Sequence, residues 1–155
     1  MIRYVAGFLF SECRSRVLLI RKVKPEWQAG LLNAVGGKIE PGESPAEAMT
    51  REGEEETGLK LEWEPTIKLS NYGGKGWEVH FFRVFADLKG VTLHGTIVEG
   101  EGILEMHSTA AYPASEVLPN LRWLLPLHVG DCTFEKGDVI TSPHAPKLVA
   151  RTPVT

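Results

Sequence analysis

This sequence has few cysteines, a small net charge and no long apolar run. The chain of 155 residues has two cysteines, Cys13 and Cys132, without CxxC spacing. We expect two reduced thiols, with a single disulfide as the alternative. The formal net charge of −3 argues against a broad cationic surface, so duplex nucleic acid is not expected as a partner. No apolar run approaches the roughly 20 residues of a membrane span.

The N-terminal segment has only a short apolar run and no small-residue cleavage site, so we expect no signal peptide. The chain shows no internal repeat, linker or low-complexity segment. Its length suits one domain, which we assign to residues 1–155. These features together predict a cytoplasmic protein without membrane association, either a monomer or a homodimer.

Alternating apolar and turn-forming residues predict an α/β domain with helices packed on a mixed sheet, because strands, a helix and further strands follow one another. Expected strands cover residues 2–10, 16–23, 32–35 and 103–107, with a pair over 61–71 and 77–88 joined by a Gly-Gly turn. Residues 113–129 are expected to form one or two short helices broken by Pro119, and the proline-containing tail after residue 131 is expected to be irregular.

One helix is predicted over residues 45–57 from its end signals. Ser44 and Glu47 have the spacing of a capping box, and Pro45 suits the first helical position. Gly58 suits the left-handed residue that ends a helix.

Four glutamates on this helix are placed by its 100° turn per residue. Glu52, Glu55 and Glu56 fall on one face, and Glu54 points away from them. The expected sheet-facing stripe beside this acidic face consists of Ala46, Met49, Gly53 and Thr57. Like charges at this spacing repel, and Arg51 is the only cation on the helix. The acidic face is therefore either solvated surface or a set of oxygen ligands for a hard divalent cation.

The segment before the helix favours the second interpretation. Gly36 and Gly37 allow a backbone to approach a phosphate or metal closely, and Lys38 adds a cation. Together with the helix, this segment resembles the Nudix hydrolases, whose signature is G-x5-E-x7-R-E-U-x-E-E-x-G-U with U a bulky aliphatic residue. The matching residues are Gly37, Glu43, Arg51, Glu52, Glu55, Glu56, Gly58 and Leu59.

One signature position departs from this pattern. Gly53 occupies the first U position, where we expect glycine to bring the helix backbone unusually close to the sheet.

The resemblance implies a Nudix-type α/β/α sandwich that binds Mg²⁺, with Mn²⁺ as a substitute. The implied metal ligands are Gly37 through its carbonyl, Glu52, Glu55 and Glu56, with Arg51 and Glu43 orienting the carboxylates. Many members use one more glutamate, for which we choose Glu101 as ligand or base, while Glu99 and Glu105 are alternatives.

The resemblance is greatest to MutT-like members that hydrolyse 8-oxo-dGTP and other nucleoside triphosphates to a monophosphate and pyrophosphate. Candidate base-reading residues are Asn33 and Asn120, because an amide both donates and accepts. Candidate phosphate contacts are Gly36, Lys38 and Lys22, with Arg21 as a further basic side chain at the same strand end. Candidate stacking residues are Trp27, Trp123 and Phe8. The alternatives are another diphosphate-linked substrate (a nucleotide sugar, ADP-ribose, a dinucleotide or an RNA 5′ end) and a nucleotide-binding module without turnover.

Overall fold

The computed structural model describes residues 1–71, 75–89, 96–98, 100, 102–131, 133–135 and 139–141, of which 96–98, 133–135 and 139–141 are described by their backbone alone. The strands are β1 (Ile2–Ser11), β2 (Arg16–Lys22), β3 (Leu32–Asn33), β4 (Val35–Lys38), β5 (Glu64–Asn71), β6 (Trp77–Ala86), β7 (Thr96–Val98), β8 (Gly102–Ser108), β9 (Thr133–Glu135) and β10 (Val139–Thr141). The helices are α1 (Pro45–Thr57) and α2 (Leu121–Val129), with a short 3-10 helix at Glu26–Gln28.

The central sheet is mixed, and its strand order is β5-β6-β1-β2-β8-β7. Strands β1 and β6 pair in parallel along their whole length, and the other pairs are antiparallel. Strands β3 and β4 lie between β1 and β2 at one end of the sheet, since β4 pairs with the first half of β1 and β3 pairs with the end of β2. This insertion carries the Gly36–Gly37 segment into the middle of the domain.

The two faces of the sheet are covered by different helices. Residues of β1 alternate between the faces, as the period of two in a strand requires. Phe8 and Phe10 pack in the cluster that includes α2. Leu9 packs with Met49 of α1 in the opposite cluster. Since both faces are covered, β1 is buried continuously from Val5 to Ser11. The predicted α/β/α sandwich with a central mixed sheet is confirmed.

Helix α1 has the predicted limits and the predicted caps. The Ser44 hydroxyl accepts a hydrogen bond from the Glu47 N–H at 3.2 Å, and the Glu47 carboxylate accepts one from the Ser44 N–H at 2.8 Å. Gly58 ends the helix in the left-handed conformation, with φ of 73°. Local sequence signals alone therefore determine both ends of the helix that carries the glutamates.

Three expectations about the remaining elements are wrong in part. The segment expected as one strand at 32–35 is two strands, and the second includes Gly36 and Gly37. Only Leu121–Val129 is helical in the 113–129 segment, where Val117 instead forms a bridge to Leu32. The tail contains the antiparallel pair of β9 and β10. Strand β7 was not expected, and the Gly-Gly turn at 73–74 and Cys132 lie outside the described residues.

Cys13 is exposed and carries a free thiol. Within the described residues, no helix is both long enough and apolar enough to cross a membrane.

The C-terminal end of α2 is held by polar side chains that are buried in the core. His128 is fully buried, and its Nδ1 donates to the Leu124 carbonyl at 2.7 Å, so Nε2 accepts from the Thr66 hydroxyl at 2.7 Å. Arg83 donates to the carbonyls of His128 and Gly130 at 3.0 and 3.1 Å. Burial, and secondarily the nearby Arg83 charge, lowers the pKa of His128 to about 4.

Stability should therefore fall as the pH drops from 6.5 to about 4. In that interval the unfolded chain binds a proton at His128 that the folded protein does not, so protonation favours unfolding. The full shift corresponds to about 3 kcal/mol in the free energy of unfolding. Urea unfolding between pH 4.5 and 6.5 should show a steeper pH slope for the wild type than for His128→Gln. Equal slopes would contradict a neutral, buried His128.

Candidate active site

Helix α1 is rotated relative to the expected stripe, so that a glutamate lies in its buried face. Ala46 is exposed, whereas Ala48, Met49, Gly53 and Glu56 are buried. Glu56 is only 5% exposed. The predicted stripe is thus correct at Met49 and Gly53, wrong at Ala46, and only half-buried at Thr57.

The buried carboxylate of Glu56 is hydrogen-bonded to the glycine segment, which consists of Gly36 and Gly37. The Gly36 N–H donates to Glu56 Oε2 at 2.9 Å. Gly36 has φ of +154°, and a Cβ at this position would lie 2.0 Å from the Val5 carbonyl oxygen. Only glycine therefore fits between the neighbouring strand and the helix at this position.

Gly37 brings the backbone equally close to a second glutamate. A Cβ on Gly37 would lie 2.4 Å from Oε1 and 2.5 Å from Cδ of Glu52. The Glu52 carboxylate thus occupies the space that any other side chain would fill. The two glycines place the carboxylates of Glu52 and Glu56 against one short stretch of backbone.

Arg51 connects this pair to the start of the helix. Its Nε and Nη2 donate to the two oxygens of Glu43 at 2.8 and 3.0 Å, and its Nη1 donates to Glu52 Oε1 at 2.8 Å. Nη2 also donates to the Lys38 carbonyl at 3.0 Å. The hydrogen bonds from Arg51 lower the pKa of Glu43 to about 2, and Glu43 in turn raises the pKa of Arg51. One guanidinium therefore offsets the repulsion among several carboxylates.

The remaining helical glutamates are more exposed. Glu55 has a side chain that is 59% exposed, with Oε2 3.5 Å from Arg51 Nη1, and Glu54 points to solvent on the far side of the helix. In the described part of the chain, no three His, Cys, Asp or Glu side chains converge as a ready metal site. Glu99 and Glu101 lie outside that part.

The donor chemistry nevertheless fits a divalent cation. Glu52, Glu55 and Glu56 offer only carboxylate oxygens, which hard cations such as Mg²⁺ and Mn²⁺ prefer. The glycine segment keeps side chains out of the space beside Glu52. We therefore consider these residues a suitable set for an ion held between the helix and the glycine backbone.

Glu105, an alternative to Glu101, lies on the opposite face of the sheet from α1. It pairs in register with Leu19, which belongs to the α2 cluster. Its carboxylate forms an ion pair with Arg21, which lowers the pKa of Glu105, and it also contacts His107. Arg21 further donates to Glu116 at 3.0 Å. The two residues bind one another, and neither lies with the glutamates of α1.

The candidate substrate residues lie on neighbouring segments but do not form one cluster. Asn33 accepts from the Ala34 N–H at 2.8 Å and donates to Gln28 Oε1 at 3.3 Å. Asn120 immediately precedes α2, and its side chain makes no capping bond there. The Leu32–Val117 bridge brings the Asn120 segment beside β3.

The basic candidates and the aromatic candidates differ in exposure. Lys38 is exposed at the end of β4, and Lys22 is half-buried at the end of β2. Phe8 is fully buried, Trp123 is half-buried and Trp27 is 69% exposed.

Gln28, which accepts a hydrogen bond from the Asn33 amide, was not predicted from the sequence. Nothing local marks a residue of a 3-10 turn as a partner of a strand amide.

Gly53 has a different role from the one expected. The space left by its missing side chain is filled by the indole of Trp63, since a Cβ on Gly53 would lie 2.9 Å from Trp63 Nε1. The helix therefore does not rest directly on the sheet at this position.

A family model described as NUDIX domain matches residues 1–125. The chain belongs to the NUDIX domain family. This confirms the expected Nudix hydrolase family, and the match extends from β1 into α2.

Two solved structures share the fold of this chain at low sequence identity. A MutT protein from Bacillus halodurans superposes with a TM-score of 0.63 at 24% identity, covering 81% of this chain and 80% of that one. A dihydroneopterin triphosphate pyrophosphohydrolase from E. coli has a TM-score of 0.63 at 13% identity, covering 82% and 94%.

A curated octanoyltransferase of Myxococcus xanthus is 51% identical over 47 residues, which are 30% of this chain. The matched segment spans only 13% of that protein's length.

The two glycines should respond differently to alanine. Gly36→Ala should lower the free energy of unfolding by roughly 2–4 kcal/mol, because its Cβ would meet the backbone of β1. Gly37→Ala should be milder for stability but should displace the Glu52 carboxylate and weaken binding of Mn²⁺. Urea unfolding and calorimetric Mn²⁺ titration measure the two effects. Gly42→Ala is the control for backbone strain without steric contact, because Gly42 has φ of +82° and an added Cβ there meets no neighbouring atom within 4 Å. Unchanged Mn²⁺ binding by Gly37→Ala would contradict this role for the glycine segment.

Proposed function

We propose that this protein hydrolyses a nucleoside triphosphate to a nucleoside monophosphate and pyrophosphate in a Mg²⁺-dependent reaction. The observation that carries the proposal is the placement of Glu52 and Glu56 against Gly36 and Gly37. A triphosphate brings several negative charges to an acidic site, so carboxylates alone would repel it. The proposed substrate therefore requires cations between the protein and the phosphates.

The proposed ligands of Mg²⁺, or of Mn²⁺ in its place, are Glu52, Glu55, Glu56 and the Gly37 carbonyl. When bound, such an ion neutralises phosphate charge and lowers the pKa of water. Arg51 and Glu43 keep the Glu52 side chain in place through the hydrogen bonds described above. Glu101 remains our proposed additional ligand or base, and Glu105 is no longer favoured because of its ion pair with Arg21.

The substrate side of the proposal rests on exposure and hydrogen-bonding capacity. Lys38 and Lys22 are the proposed phosphate contacts, whereas Gly36 is no longer favoured because its N–H donates to Glu56 Oε2. Asn33 and Asn120 are the proposed readers of the base, because each amide can both donate and accept. The intended substrate class includes oxidised or otherwise modified nucleotides, and cytoplasmic nucleotide pools are the proposed location of the activity. A monomer or a homodimer is compatible with this role.

A substrate panel with Mg²⁺ tests the proposal. It should contain normal and oxidised nucleoside triphosphates, dihydroneopterin triphosphate, nucleotide sugars, ADP-ribose, dinucleotides and an RNA 5′ end. Nucleoside monophosphates, other phosphomonoesters, phosphate and pyrophosphate should each be separated and measured by ion-exchange chromatography. We expect pyrophosphate from one or a few nucleoside triphosphates.

Glu56→Gln should reduce this rate by more than about 100-fold, since loss of a ligand should exceed the 10–100-fold effect of an outer partner. Glu54→Gln is the matched control, because Glu54 lies on the same helix but faces solvent. Its rate should remain near that of the wild type.

Hydrolysis of diphosphate-linked compounds alone would overturn the proposed substrate class while retaining Nudix chemistry. Binding of nucleotides without any release would indicate a module without turnover. Equal losses in Glu54→Gln and Glu56→Gln would contradict the assignment of the helix faces.

A further inference from the structure

The signature position at Gly53 and the strand residue Gly7 face the same space. Gly53 lies in the buried face of α1, and Gly7 lies in β1 between Ala6 and Phe8. A Cβ on Gly7 would lie 2.6 Å from Trp63 Cζ3 and 2.7 Å from Met49 Cε. Gly7 and Gly53 themselves therefore leave a space that is bordered by the side chains of Met49 and Trp63.

The indole of Trp63 occupies this space from outside both elements. Cβ atoms on Gly53 would lie 2.9, 3.0 and 3.1 Å from its Nε1, Cζ2 and Cε2 atoms. Trp63 is the residue immediately before β5, and it packs with the apolar cluster under α1. In the described residues, its buried Nε1 has no hydrogen-bond partner. The shape of the ring, rather than a polar contact, accounts for its position.

The space filled by Trp63 lies beside the acidic ligands. Gly53 directly follows Glu52 and precedes Glu56 by three residues. On the sheet, Gly7 pairs with Val35, and the adjacent Ala6 pairs with Gly36. The indole therefore lies between α1 and β1, close in the chain and in strand register to the Gly36–Glu56 hydrogen bond.

We infer that Trp63 is a positioning residue for the metal-binding carboxylates, and that it replaces the bulky aliphatic side chain that the Nudix signature has at position 53. This inference rests on the proposed function, because it concerns the same carboxylates. Removing the ring should let α1 shift toward β1 and misplace Glu52 and Glu56. Returning a bulky aliphatic residue to position 53 should then refill the space from the helix side.

A four-variant comparison tests this inference with Mn²⁺ alone as the probe. The variants are Trp63→Phe, Trp63→Ala, Gly53→Leu and the double change Trp63→Ala with Gly53→Leu. Calorimetry measures the Mn²⁺ affinity, and steady-state kinetics on the best nucleotide give kcat and KM. Urea unfolding measures the stability. Trp77→Ala, at a partly exposed tryptophan in β6, serves as control.

Trp63→Ala should weaken Mn²⁺ binding by about 10-fold or more and lower kcat more than it raises KM, as loss of an outer partner does. Trp63→Phe and Trp77→Ala should bind Mn²⁺ like the wild type. Gly53→Leu alone should be destabilised, because its side chain meets the indole, whereas the double variant should regain most of the Mn²⁺ affinity.

Several results would overturn the inference. One is a Trp63→Ala protein that is less stable but binds Mn²⁺ normally; another is a double variant that regains stability without regaining Mn²⁺ affinity. Should Trp63→Ala not fold, Trp63→Leu takes its place, with the same predictions. A wild type that binds Mn²⁺ but hydrolyses no nucleotide would refute the proposed function, while the Mn²⁺ affinities would still decide the role of Trp63.

Discussion

A hydrogen bond from the Gly36 N–H to the buried carboxylate of Glu56 ties the acidic helix to the sheet. Burying a carboxylate is costly unless it is hydrogen-bonded, and a bond to a charged group contributes about 1.5–3 kcal/mol. The bond can form because β4 is inserted beside the first half of β1, which brings the glycine segment under α1. The rotation of the helix, with Ala48 buried and Ala46 exposed, follows from the same contact.

The acidic helix is compatible with a stable fold because Arg51 links the glutamates to one another and to the backbone. Its hydrogen bonds to Glu43 and Glu52 replace repulsion by attraction, and its bond to the Lys38 carbonyl fixes the end of β4. The same hydrogen bonds from Arg51 lower the pKa of Glu43 and keep that carboxylate ionised. Charged, pre-positioned oxygens are the state that a divalent cation requires.

Much of this arrangement was predictable from the sequence, and the remainder depended on contacts between distant segments. The limits of α1 follow from Ser44, Glu47 and Gly58, and the signature spacing identifies the family. Strand pairing determines the face of the sheet on which Glu105 lies, and Trp63 fills the space at Gly53. No local pattern reveals these contacts or the rotation of α1. Pairing of β9 with β10 was missed because their short strands lack a clear alternation.

The proposed function requires that α1 and the glycine segment together hold a divalent cation. Crystals soaked in Mn²⁺ and measured near the manganese absorption edge test it most directly, because anomalous density locates the ion independently of activity. We expect a peak in contact with carboxylate oxygens of Glu52 and Glu56 and near the Gly37 carbonyl. A fully occupied peak elsewhere, for example beside Glu105 and His107, with none at α1, would contradict it.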